Sequence, residues 1–184
     1  GTDALKGANI LKSADEGYSS SVEYAATPIA QNLKGIAKVL LAGLGTRIFY
    51  TIQAGYDTHS GQLPVQTQLL TELAAGIADF YADLKEHQAS GEVLMLAFTE
   101  FGRRVHDNGS GTDHGSGGMA FVVGDAVKGG LYGEYPSLAT DKLLEGDLQF
   151  NNDFRGLYST LLERWMGLDA KPIVGGAFEQ MEFI

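Results

Sequence analysis

The chain has 184 residues, 44% of them hydrophobic, a formal net charge of −10 and no cysteine. That length supports one core-forming domain. Lys and Arg are scattered, with Arg103-Arg104 the only adjacent pair, which excludes the clustered cations of a nucleic-acid partner. The missing thiols exclude disulfides, thiolate metal sites and cysteine nucleophiles, and no run approaches the roughly 18 apolar residues of a membrane span.

Residues 1–26 are polar and Ser-rich and read as irregular. Thr27-Pro28 reads as an N-cap followed by a first-turn proline. Ile29, Leu33, Ile36, Leu40 and Leu44 then recur at helical spacing, and Gly43 and Gly45 supply the stop. Arg47–Gln53 is β-branched and aromatic and predicts a strand. After the turn-rich Gly55–Gly61, Pro64 opens a long helix carrying Val65, Leu69, Leu73, Ile77, Phe80 and Leu84. His87, at the polar end of that helix, reads as solvated. Val93–Phe98 predicts a buried strand, so strand, helix and strand form a βαβ unit with parallel pairing and a right-handed crossover.

Thr99–Gly118 reads as one long loop, of a length that is usually functional or disordered. Met119–Val123 is the next strand, Gly129–Gly133 begins a run of turns, and Asn152 caps a last helix with Phe154, Leu157, Leu161 and Trp165 on one face. The resulting expectation is a single α/β domain over residues 1–184, with a mostly parallel sheet flanked by helices.

In such sheets ligands sit beyond the carboxyl ends of the strands. Asp57 and His59 follow the first strand, Thr99 and Glu100 end the second, and Asp113 and His114 lie in the loop after it. Carboxylate oxygen and imidazole nitrogen suit zinc and similar divalent cations. The competing reading of each histidine, His106 included, is an exposed or hydrogen-bonded loop residue. Arg103 and Arg104 offer guanidinium groups for an oxyanion, or else pair with nearby carboxylates. The glycines from Gly109 to Gly118 let this loop fold tightly or approach a ligand by backbone. No strand-linked GxGxxG, Walker-type loop or G-x-S-x-G elbow is present.

Three motifs, "GYDTHSGQ", "MLAFTEFGRRVHDNGSGTDHGSGGMAFVVGDAVKGGLYGEYPSL" and "DFRGLYSTLLERWMGLD", resemble the domain-of-unknown-function family 1501. That is a sulfatase-like family of exported bacterial proteins in the alkaline phosphatase superfamily. The resemblance runs from Ala26 to Asp169 and makes this chain similar to the C-terminal half of longer members. It implies a partial domain of the three-layer α/β/α kind and zinc ions at the edge of a parallel sheet. Asp57, His59 and His114 match one ion's ligand positions. At the second ion's position the chain reads Thr99-Glu100-Phe101, so Glu100 matches the carboxylate and Phe101 departs from the imidazole. The spacing from Asp57 to His59 is also shorter than the superfamily's.

The function this implies is part of a metal-dependent phosphate- or sulfate-ester hydrolase acting on a small-molecule ester. Asp57, His59, Glu100 and His114 are the metal ligands, with Arg103, Asp113 and Thr99 contacting an oxyanion or orienting the ligands. The nucleophile is expected outside these residues, so the chain alone is expected to be inactive and to bind its missing N-terminal half or self-associate. The alternative is a non-catalytic cell-envelope binding or structural module that keeps the fold and at most one metal.

Overall fold

The computed structural model describes residues 12–184, and the chain divides between Glu92 and Val93 into two compact units.

In the first unit, residues 12–17 are helical (α1) where the sequence suggested irregular chain; residues 1–11 lie outside the described residues. Helix α2 spans Pro28–Leu41 with Thr27 at the N-cap, although the Thr27 hydroxyl makes no capping bond. Helix α3 spans Gln62–Glu86 and starts after Gly61, whose φ of 57° is one that glycine adopts without strain. The two helices pack on each other. The buried face of α2 is Ile29, Ala30, Leu33 and Ala37, narrower than the leucine and isoleucine stripe predicted. Small residues set the approach: a Cβ added to Gly76 of α3 would lie 3.4 Å from Ala30 Cα. Phe80 and Leu84 complete the core at 2% and 0% exposure, each contributing about 1.5–3 kcal/mol by burial.

The extended segment 18–24 crosses the C-terminal half of α3. Tyr18 and Tyr24 donate their hydroxyls to Asp83 Oδ2 at 2.6 and 2.8 Å. Ser21 donates its N–H to Glu86 Oε1 and Oε2 at 3.1 Å and its hydroxyl to Oε2 at 2.6 Å.

The predicted parallel sheet does not form. Among the described residues there are two antiparallel two-stranded sheets, β1 (Met95–Ala97) with β4 (Phe121–Val123) and β2 (Gly102–Asp107) with β3 (Thr112–Gly115). Arg47–Gln53 is not a strand, and Ile48, Tyr50 and Ile52 are at 72%, 74% and 63% exposure. The physical reason is that alternation and β-propensity report fit to a pleated surface and do not specify a partner. Strand β1 pairs instead with β4, Met95 opposite Val123 and Ala97 opposite Phe121.

The segment between these strands is not an unstructured loop. It folds back as the β2–β3 hairpin, turned by Asn108 and Gly109. Asn108 Oδ1 accepts from the Ser110 and Gly111 N–H groups at 3.1 and 2.9 Å. Asp107 Oδ1 accepts from Gly109 N at 2.6 Å, and Gly109 takes φ 93°. An Asn-Gly pair is a strong hairpin signal that the loop-length argument passed over.

Helix α4 spans Phe154–Thr160, capped by Asp153 rather than Asn152: the Asp153 carboxylate accepts from Arg155 N at 2.9 Å. Its hydrogen bonds from the Arg155 side chain and backbone hold this carboxyl down at about 2. The helix then widens into a π turn over Leu161–Trp165, with Met166 N bonded to Leu161 O at 3.1 Å, before the short α5, Lys171–Val174. The buried face of α4 is Gly156, Ser159 and Thr160. A Cβ on Gly156 would lie 2.2 Å from Glu179 O, so glycine admits the C-terminal segment. Thr160 Oγ1 donates to Gly156 O at 2.9 Å and accepts from Met181 N at 2.8 Å, fixing that segment in place.

Candidate functional site

Asp57 and His59 sit on the loop before α3, and the loop is tied to that helix at several points. Gln53 Nε2 donates to Leu69 O at 3.1 Å, and Tyr56 donates its hydroxyl to Gln53 Oε1 at 3.0 Å. Gln66 Nε2 donates to Thr58 Oγ1 at 3.0 Å. Gly55 takes φ 106°, and a Cβ there would meet Leu69 Cδ1 at 3.2 Å. Thr58 is the buried member, at 8% exposure. Thr58 N donates to Tyr56 O at 2.9 Å, so the backbone turns at Asp57, and Asp57 and His59 are left exposed on either side of the buried Thr58. His59 Nε2 lies 3.0 Å from Asp57 Oδ1, with both side chains about half or more exposed.

The remaining predicted residues lie in the second unit. His114 is exposed on β3 and pairs across the ribbon with Arg103 of β2. Its ring stacks on Phe101, centroids 3.8 Å apart and planes 10° apart. Phe101 is thus the platform on which the His114 ring lies. Arg103 places its guanidinium carbon 5.2 Å over the same Phe101 ring and donates to Thr112 O at 2.6 Å. Arg104 takes the carboxylate pairing, Nε to Asp147 Oδ1 at 2.9 Å. Glu100 and Asp113 are exposed, and Thr99 donates its hydroxyl to Phe101 O.

The glycines of this region close on their own chain. A Cβ on Gly102 would lie 1.9 Å from Gly117 O, on Gly115 2.6 Å from Arg103 C, and on Gly117 2.6 Å from Leu148 Cβ. Their role is close packing under the residues that bear the donors.

Residues 4–176 match the family described as "Protein of unknown function (DUF1501)". The chain belongs to this family. The match includes Asp57, His59, Glu100, Arg103, Asp113 and His114, and it agrees with the family likeness carried by the three sequence motifs. No curated protein and no solved structure matches the chain. No helix among the described residues is long and apolar enough to cross a membrane.

Proposed function

We propose that this member of the DUF1501 family is part of a sulfatase-like, metal-dependent hydrolase of small phosphate or sulfate esters, exported as the resemblance implies. Asp57 and His59 hold a divalent cation, zinc by donor type, with His114 and Glu100 as further ligands. The observation that carries the reading is the Asp57–His59 pair: an oxygen and an imidazole nitrogen 3.0 Å apart, exposed, on a loop pinned by Thr58 and Gln66. Such a donor set fits zinc. A cation bound there polarises an ester oxygen and stabilises charge on the transferring group. Arg103 contacts the oxyanion, while Thr99 and Asp113 orient the neighbouring groups. No nucleophile is assigned within these residues.

Zinc content and affinity test the reading directly. The parent chain is expected to retain zinc through desalting. His59→Ala and Asp57→Ala should weaken it by more than the roughly 10–100-fold typical of losing an outer hydrogen-bond partner. Their circular dichroism should stay unchanged, because both side chains are largely exposed. Equal zinc in parent and variants removes the pair from the ligand set.

A second reading, a non-catalytic binding module, is favoured by Phe101. An aromatic ring where the superfamily has an imidazole is a lost ligand, and its stacking on His114 gives it a packing role. Zinc binding without ester turnover, in the chain supplied with any N-terminal partner, selects that reading.

A further inference from the structure

His87 closes α3, and its ring is wedged between that helix and the segment running from Tyr18. Its Nδ1 lies 2.9 Å from the Asp83 carbonyl oxygen and 3.2 Å from Asp83 Oδ1. Its Nε2 lies 2.9 Å from the Ser19 carbonyl oxygen. Both ring nitrogens therefore face acceptors. A neutral imidazole has one N–H and one lone pair, so one nitrogen would direct a lone pair at an oxygen. The imidazolium donates from both. Asp83 supplies the second reason: its side chain is 0% exposed. Oδ2 takes both tyrosine hydroxyls, while Oδ1 is buried without a hydrogen-bond donor in line. A positive ring 3.2 Å from that oxygen compensates it.

We propose that the His87 imidazolium is a proton-operated latch holding segment 18–24 against the C-terminal end of α3. The groups around it agree in sign. Asp83 and Glu86 come from α3, and Tyr18, stacked on His87 at 6.2 Å, comes from the strapped segment. Lys38 of α2 lies 5.4 Å from the Tyr18 ring centroid, but its charge is matched by Asp15 of α1. The Asp83 carbonyl, foremost, raises the His87 pKa above its ordinary 6.5; burial, next in size, opposes it, and the Ser19 carbonyl adds to the rise. The sign follows: with the closed-state pKa raised, the latch is fully engaged below the open-state value and lost as pH rises through the closed-state one. The opening equilibrium changes by about tenfold for each unit separating the two values. Tyr18, Lys38 and His87 also line a cavity of about 630 Å³ with Ser13, Ala14 and Leu41, so release of the strap removes part of its wall.

The test is a nitrogen NMR titration of His87 in the whole chain from about pH 5 to 9, paired with amide exchange of residues 19–24 corrected for intrinsic base catalysis. The expected result is protonation of both ring nitrogens at low pH, a midpoint above 6.5, and strap protection that falls through the same midpoint. His87→Gln, which carries no titrating group, should make strap protection flat with pH. The wild-type titration decides the matter alone if that variant fails to fold. A His87 midpoint at or below that of free imidazole overturns the latch, as does strap protection that stays constant while His87 titrates.

Discussion

Gly102→Ala should dismantle the β2–β3 ribbon. The added Cβ would lie 1.9, 2.3 and 2.9 Å from the O, C and N atoms of Gly117. All three are backbone, so no side-chain rotation relieves the overlap and the strand itself must move. Overpacking a well-fitted site costs about 1–3 kcal/mol, and contact with backbone places this variant at the upper end. Moving Gly102 also displaces its neighbours Phe101 and Arg103, and with them the ring stacked on His114. The measurement is amide-exchange protection of β2 and β3 together with the denaturant midpoint. Gly118→Ala is the control, since a Cβ there meets Gly102 Cα at an ordinary 3.6 Å. Equal protection in Gly102→Ala and the parent would contradict the packing.

Asp83→Ala should produce a comparable loss in the first unit. The substitution strands the Tyr24 hydroxyl, on a residue 9% exposed, and the partly buried Tyr18 hydroxyl. Leaving a buried polar group unsatisfied costs about 1–3 kcal/mol, so the pair together should bring the loss to about 3 kcal/mol. Burial first, then hydrogen bonding to Asp83, pushes the Tyr18 hydroxyl up to about 12 and the Tyr24 hydroxyl up as well, and the variant removes the second of these causes. Ultraviolet titration should accordingly show tyrosine ionisation moving to lower pH, alongside an earlier thermal loss of helix. Stability and tyrosine titration that both match the parent would remove Asp83 from the role described.

The two long helices were legible because Ile29, Leu33, Phe80 and Leu84 repeat at helical spacing. The contact between them was less so, because Ala30 and Gly76 weigh little in a hydrophobic pattern although they fix how closely the helices approach. Arg47–Gln53 shows why a strand pattern does not yield a sheet. Its alternation is real, with Ile48, Tyr50 and Ile52 on one side, but pairing depends on which chain lies alongside. Asp57 and His59 were singled out by donor type and by their place after an expected strand that does not form, since their spacing alone is a weak signal. What holds them, the inward Thr58 bonded to Gln66, joins ordinary polar residues that carry no distinguishing sequence signal. His87 was read as solvated because its neighbours in sequence are polar. Its acceptors include a carbonyl 68 residues away, a relation that no local window contains.

The π turn at Leu161–Trp165 has a consequence for the lengths this chain tolerates. A turn closed from Leu161 O to Met166 N holds one residue more than an α-helical turn. Losing one residue there can be taken up by reversion to α-helix, sacrificing the reach of Arg164 Nε to Gln180 at 2.9 Å. The same deletion inside α3 has no such slack. It rotates everything downstream by about 100°, carrying Phe80 and Leu84 out of register with Gly76 and turning Asp83 away from both tyrosines. Of the two helices, the one with irregular hydrogen bonding is therefore the one in which single-residue length changes can be inherited.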